Sequence, residues 1–185
     1  MYYLERSEEK TGYRVKIVHR KAFKVTGYSI IVPPCADDMI PQLWRDVTAD
    51  GRLAWLKQAS TVRPWVLGLG SWDPACEKHG QRYTICIEET DHTNFAGPAP
   101  QQAPLQPLFT KEIGASDWMC FEMIQSIYDE RFWKDNPYRM MPKLGYQFHT
   151  GNYDVGLHFD AYPPYYDQVS NPAMEFWITV VKPAP

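Results

Sequence analysis

The feature that most constrains the fold of this chain of 185 residues is an order of predicted elements that occurs twice. Runs rich in β-branched and aromatic residues, typical of strands, alternate with runs of helical spacing in the order β-α-β-β. The order recurs after a segment rich in proline, alanine and glutamine at 91–107, which we interpret as a linker. The strand-like runs cover 13–32, 65–72, 82–89, 109–123, 157–162 and 174–182, and the helical runs cover 38–51 and 124–134.

A duplicated βαββ unit forms an antiparallel sheet with its helices on one face. We therefore predict an α+β fold, with residues 1–185 as a single domain. The linker joins internal halves at about 13–90 and 108–182. In the first helix Leu43, Trp44 and Val47 have helical spacing, Asp37 or Asp38 is placed to cap the start, and Gly51 is placed to stop it.

Composition excludes several classes of protein. The net charge of −3 argues against a protein that binds nucleic acid by neutralising phosphates. No apolar run reaches the roughly 20 residues of a membrane span, and the first residues lack the pattern of a signal peptide, so we expect a cytoplasmic protein. Trp, Tyr and Phe total 27, against 31 for Leu, Ile and Val together. Such a chain builds its core from rings or uses some rings elsewhere.

The four cysteines have no CxxC spacing, so we expect unpaired thiols buried as small hydrophobic residues. Cys76, His79, Cys86 and His92 lie close together in sequence, but their spacing fits no standard zinc site. We predict no metal and no cofactor.

Alternation along the strands places carboxylates and large rings on one face of the predicted sheet, and apolar residues such as Phe121, Phe159 and Phe176 on the other. The residues assigned to the acidic face are Glu88, Glu122, Asp160, Glu175, Trp118, Trp177 and Tyr162. One interpretation is a solvated face, on which acids are common. The other is a ligand cleft floored by carboxylates and walled by rings, which would bind flat or apolar cations. The two tryptophans favour the cleft.

Seven segments, in order, resemble the GyrI-like, or AraC-type, effector-binding domains over nearly the whole chain. These segments are AFKVTGYSI, IPQLWRDVTADG, RYTICIEE, WMCFEM, IQSIYDERF, FDAY and EFWITVVKP. The resemblance implies the duplicated βαββ fold and a cleft for bulky, often cationic, hydrophobic compounds. It also implies that Asp160 and Tyr162 match a family element written fE.Y, and that Glu175 matches an acid of the last strand. Asp160 is one methylene shorter than the family's glutamate.

We therefore expect a binding module without catalytic residues, which takes a hydrophobic, cationic small molecule. The expected ligand-binding residues are Glu175, Asp160, Glu122, Glu88, Trp118, Trp177, Tyr162 and Tyr146. We expect no direct contact with nucleic acid or membrane, and a monomer or homodimer. Two alternatives stay open: a hydrolase of strained or alkylating compounds that uses a cleft glutamate, and a module that sequesters a protein, as a gyrase inhibitor does.

Overall fold

The computed structural model describes residues 1–36, 38–60, 65–72, 74–76, 80–95, 100, 107–123, 130–149, 157–164 and 173–183. Ten strands and five helices lie in these ranges. By their contacts the residues divide into two compact units. Unit 1 comprises Met1–Ala22 and Gly114–Pro185, and unit 2 comprises Phe23–Ile113.

Unit 2 contains an antiparallel sheet in the order β4-β5-β3-β6. Its elements are β3 (Phe23–Val32), α2 (Met39–Ala49), α3 (Arg52–Ala59), β4 (Val66–Ser71), β5 (Gln81–Glu89) and β6 (Phe109–Ile113). The core lies between the helices and one face of the sheet, where Leu43 and Val47 of α2 and Leu56 of α3 meet Tyr28 and Ile85 of the strands. The predicted helical spacing is confirmed, because Leu43 and Val47 are the buried residues of α2.

Gly51 separates the two helices of unit 2. Its backbone is left-handed, with φ at 84°, and α3 begins directly after it. Glycine adopts this conformation without the cost that a Cβ atom adds. The sequence therefore predicts the end of α2 to within two residues. Asp37 lies outside the described residues, and Asp38 precedes α2 without a side-chain hydrogen bond to the helix.

Unit 1 contains an antiparallel sheet in the order β1-β2-β7-β10-β9, with β8 also paired to β10. Its strands are β1 (Tyr2–Tyr3), β2 (Arg14–Arg20), β7 (Ser116–Met123), β8 (Gln147–Phe148), β9 (His158–Tyr162) and β10 (Met174–Val181). Its helices are α1 (Ser7–Thr11), α4 (Glu130–Asp135) and α5 (Pro137–Lys143). Rings fill its core, where Phe132 of α4 packs edge-on against Phe121 and Phe176 with ring centroids 5.9 and 5.4 Å away.

Two predicted strands are each two strands in the structure. The run 13–32 divides into β2 and β3, and the run 109–123 divides into β6 and β7. In each case the two parts lie in different units, because β2 pairs with β7 and β6 pairs with β3. The connections between them, residues 21–22 and 114–115, are the two places where the chain passes from one unit to the other.

The α+β class and the antiparallel pairing are confirmed. The repeated βαββ order is visible as β3-α2-α3-β4-β5 in unit 2 and as β7-α4-α5-β9-β10 in unit 1, where the short β8 is an addition. No helix of the described residues has the length and apolar character needed to cross a membrane.

Candidate functional site

Two of the predicted carboxylates stand directly opposite each other on neighbouring strands of unit 1. Glu122 of β7 and Glu175 of β10 are register partners, so their side chains lie on the same face of the sheet. Like charges in this position destabilise a sheet. A cation must therefore lie close to them if both are to stay ionised.

Lys16 of β2 supplies that cation. Its Nζ atom lies 2.5 Å from Oε1 of Glu175 and 3.2 Å from Oε1 of Glu122. Burial alone would lower the pKa of Lys16, but hydrogen bonds and charge attraction, with Glu175 first, raise it above its usual value. Burial alone would raise the pKa of Glu122, but hydrogen bonds from Tyr3 and Lys16 lower it. Lys16 and Glu122 are therefore ionised together at neutral pH.

Trp177 forms the aromatic edge of this site. Its indole Nε1 donates a hydrogen bond of 2.9 Å to Oε2 of Glu175, which fixes the ring beside the carboxylate. The ring stacks on Phe159 at 5.5 Å, and Phe159 packs against Trp118 at 4.9 Å. Trp118 and Phe159 are buried, whereas Trp177 is half-buried. Trp118 therefore packs against Phe159 as a buried neighbour on the same face, and Trp177 is the ring that a ligand could touch.

The face that carries these rings is not acidic in the described residues. Arg20 of β2 lies 5.7 Å from the ring centre of Trp177, and the Lys16 ammonium lies 5.6 Å from it. Arg14 approaches Glu122 at 3.9 Å. The expectation of an acidic face is wrong here, because β2 brings Arg14 and Lys16 to the two carboxylates and Arg20 to the Trp177 ring. The alternation of Arg14, Lys16 and Arg20 in the sequence is the signal that would have shown it.

The N-terminal strand β1, which the sequence patterns do not indicate, also reaches the carboxylate pair. Its register with β2 pairs Tyr3 with Lys16. The Tyr3 hydroxyl donates a hydrogen bond of 2.8 Å to Oε1 of Glu122, and Arg14 lies over the Tyr3 ring at 3.9 Å. Both carboxylates therefore receive hydrogen bonds from side chains of this chain.

Asp160 and Tyr162 were expected on the same face as Glu175, and the register of β9 shows that this is wrong. Asp160 is the register partner of Phe176, and Ala161 is the partner of Glu175. Asp160 and Tyr162 therefore lie on the Phe176 side, whereas Phe159 lies on the Trp177 side. Phe159, expected on the apolar core face, is instead part of the aromatic layer of the site.

Asp160 is buried, and its Oδ1 atom has no hydrogen-bond partner among the described residues. Burial raises the pKa of Asp160 to about 7. On the same side of the sheet the ring of His158 stacks on Phe176 at 5.7 Å, and the Tyr138 hydroxyl lies 3.3 Å from Nδ1 of His158. Asp160 is therefore separate from Lys16, Glu122 and Glu175: it lies in the same unit but on the other face of the sheet.

The other two predicted ligand-binding residues lie on other elements of the chain. Glu88 lies on β5 of unit 2, opposite Val25. Tyr146 lies between α5 and β8, and its hydroxyl is 2.7 Å from that of Tyr2. Burial and the contact with Tyr2 raise the pKa of Tyr146 to about 12.

The cysteines have no partner of their own kind. Cys86 and Cys120 are buried in central strands, and burial raises the pKa of both thiols, as expected for small hydrophobic residues. Cys35 is exposed, and Cys76 is half-buried. In the described part of the chain, which omits His79, no three His, Cys, Asp or Glu residues are placed to hold a metal ion.

Comparison with known proteins shows what this fold resembles. No family model matches the chain, and no curated protein matches it. Among solved structures, SAV2435 bound to tetraphenylphosphonium superposes with a TM-score of 0.68 at 13% identity, over 90% of this chain and 93% of that one.

A bacterial transcription regulation protein from Staphylococcus aureus MU50 superposes with a TM-score of 0.64 at 14% identity, over 91% of this chain and 99% of that one. The C-terminal domain of EcmrR gives 0.54 at 14% identity, over 92% and 99%. Identities this low establish the fold and not the ligand. The chain therefore has the fold of the GyrI-like effector-binding domains, as the resemblance of its sequence predicts.

Proposed function

We propose that this chain is a binding module for bulky aromatic small molecules, cations among them, and that they bind against Trp177 and Glu175 on the sheet of unit 1. The observation that carries the proposal is the half-buried Trp177 ring, held at its indole N–H by Glu175 and stacked on the buried Phe159, which in turn packs against the buried Trp118. A ring fixed in this way can contact a ligand through its exposed part without losing further side-chain freedom.

The size of the expected contributions supports an aromatic ligand. Burying ligand rings contributes about 25 cal/mol per Å² of apolar area, so a contact of ~150 Å² contributes about 4 kcal/mol. A cation over an indole ring adds roughly 0.5–2 kcal/mol. The tetraphenylphosphonium in the SAV2435 structure has both features, since it is a cation surrounded by four rings. Ring burial is the larger of the two contributions.

The same geometry does not favour the hydrolase alternative. A glutamate that acts as a general base must offer an oxygen to water or substrate. Oε1 of Glu175 accepts a hydrogen bond from Lys16, and Oε2 accepts one from Trp177. The carboxylate is therefore arranged to hold two donors in place. Loss of an alkylating compound at substoichiometric protein, abolished in E175Q, would contradict the binding function.

The test is the affinity for tetraphenylphosphonium of the wild-type chain, W177L and W72L, measured by calorimetry. Trp72 follows β4 in unit 2 and is half-buried like Trp177, so W72L controls for the loss of one tryptophan. We expect W177L to weaken binding by at least about tenfold, the equivalent of 1.4 kcal/mol, and W72L to leave it within about twofold. No binding to the wild-type chain, or equal losses in the two variants, would refute the proposal.

A further inference from the structure

The carboxylate pair of unit 1 has the composition of a cation site, and a side chain of the protein already fills it. The Lys16 ammonium lies within hydrogen-bond distance of both Glu122 and Glu175, and 5.6 Å from the ring centre of Trp177. These contacts are those that a ligand cation would make in the proposed site: a carboxylate beside it and an indole face below it.

The register of three strands explains how the lysine reaches this position. Lys16 of β2, Cys120 of β7 and Trp177 of β10 stand in one row across the sheet. Cys120 has a small, buried side chain, so the lysine chain can extend over β7 toward Trp177. The lysine side chain is only 11% exposed. It is therefore packed into the site rather than extended into solvent.

We propose that Lys16 is a built-in competitor for cationic ligands: its ammonium holds the cation position beside Glu175 and Trp177 and so determines the charge preference of the site. This inference rests on the proposed function. A neutral aromatic ligand can contact Trp177 while Lys16 stays on the carboxylates. For a cationic ligand, the charge of Glu175 is already compensated by Lys16. The ligand can pair with this carboxylate only when the lysine leaves it.

The test uses two ligands of nearly the same shape but different charge. Methyltriphenylphosphonium is a cation, and triphenylphosphine oxide carries the same three rings without a net charge. Their dissociation constants are measured for the wild-type chain, K16M and K16R. Methionine, one atom shorter, keeps most of the packing of the lysine chain without its charge, whereas arginine keeps the charge.

Lys24 provides a matched control. It lies on β3 of unit 2 and pairs with Glu89 at 2.7 Å, so K24M removes the same charge from another ion pair. We expect K16M to tighten binding of the phosphonium by at least about tenfold and to change binding of the phosphine oxide by less than about threefold. K16R and K24M are expected to stay within about threefold of wild type for both ligands.

Three outcomes would overturn the inference: unchanged or weaker phosphonium binding in K16M, equal tightening of both ligands, which would indicate added space, or equal tightening in K24M. If K16M does not fold, the double variant K16M/E122Q removes one carboxylate together with the lysine and is expected to show the same preference for the cation. Failure of both ligands to bind the wild-type chain and every variant would instead reject the proposed function.

A second measurement requires no substitution. The ¹⁵Nζ signal of Lys16 in the wild-type chain reports on its hydrogen bonds to the two carboxylates. We expect saturating methyltriphenylphosphonium to shift this signal toward that of a solvated lysine, and triphenylphosphine oxide to leave it in place. A Lys16 signal that stays unchanged at saturation with the cation would refute the competition.

Discussion

At the scale of single residues, the charges of Glu122 and Glu175 are compensated by direct contact with a lysine. Glu122 and Glu175 are direct register partners, and the Lys16 ammonium contacts both. Removal of one member of such a partly buried group leaves the others without compensation, which costs more than the loss of an exposed ion pair. Asp160 contrasts with this group, because it is buried without an ion pair among the described residues.

Asp160 should therefore make the stability of the protein depend on pH. Its pKa is about 7 in the folded chain, against about 3.9 in an unfolded one. Between these values the folded state binds the extra proton, so this group's contribution to the free energy of unfolding falls as pH rises from about 4 to 7. We expect D160N, which lacks this titration, to gain stability over wild type across that window, by a few kcal/mol at pH 8.

Denaturant unfolding of wild type and D160N at pH 4.5, 5.5, 6.5 and 8 measures this effect. D46N, on the exposed side of α2, controls for a change from Asp to Asn without burial. A difference between D160N and wild type that stays constant from pH 4.5 to 8 would show that Asp160 has no raised pKa.

At the scale of elements, the sequence predicts the extent of several strands better than the direction in which they face. The predicted bounds of β4, β5, β9 and β10 agree with the structure to within one residue at each end. Alternation, however, only divides a strand into two faces, and the pairing register decides which of them meets the helices. In β9 both Phe159 and Asp160 are buried, so exposure does not mark the outer face. Polarity marks the wrong one, because Asp160 lies on the Phe176 side.

The candidate site could be predicted only in part, because alternation along one strand does not show which strand pairs with it. Glu175, Glu122, Trp118 and Trp177 do lie on one face, because β7 and β10 follow the alternation rule. Lys16 was missed because a continuous run from 13 to 32 reads as one strand, and nothing local shows that β2 pairs with β7 in unit 1 while β3 pairs within unit 2. A change of partner between consecutive strands is a long-range choice that composition does not record.

Gly27 tests the close approach of two strands in unit 2. A Cβ atom at this position would lie 2.0 Å from the Ile85 carbonyl oxygen and 2.5 Å from the Cys86 Cα atom, both in the backbone of β5. Because backbone atoms cannot rotate aside, we expect G27A to lower the free energy of unfolding by about 3 kcal/mol or more. The midpoint of urea unfolding measures the loss.

G145A is the matched control. Gly145 has φ at 80°, but a Cβ atom there would meet nothing within 4 Å. Its substitution therefore costs only the backbone strain of roughly 1–2 kcal/mol. If G27A were no less stable than G145A, the close approach of β3 and β5 at Gly27 would be contradicted.

At the scale of the whole molecule, each unit is completed by a strand that precedes the other unit's βαββ segment. The strand β2 runs directly into β3 but pairs with β7, and β6 runs directly into β7 but pairs with β3. The structural duplication is therefore not a simple tandem arrangement of independent halves. Residues 114–185 alone lack β2, which contributes the buried Val15 and Ile17 to unit 1.

The folding of unit 1 should accordingly need both of its chain segments. Burial of a Val or Ile side chain contributes about 1.5–3 kcal/mol, so losing Val15 and Ile17 removes much of the roughly 5–15 kcal/mol that stabilises a domain. We expect a fragment of residues 114–185 to show no cooperative unfolding transition by circular dichroism. We expect residues 1–22 joined to 114–185 through a flexible linker to show one, and the same fusion with V15D to lose it. A fragment of 114–185 that unfolds as cooperatively as the fusion would refute the dependence of unit 1 on β2.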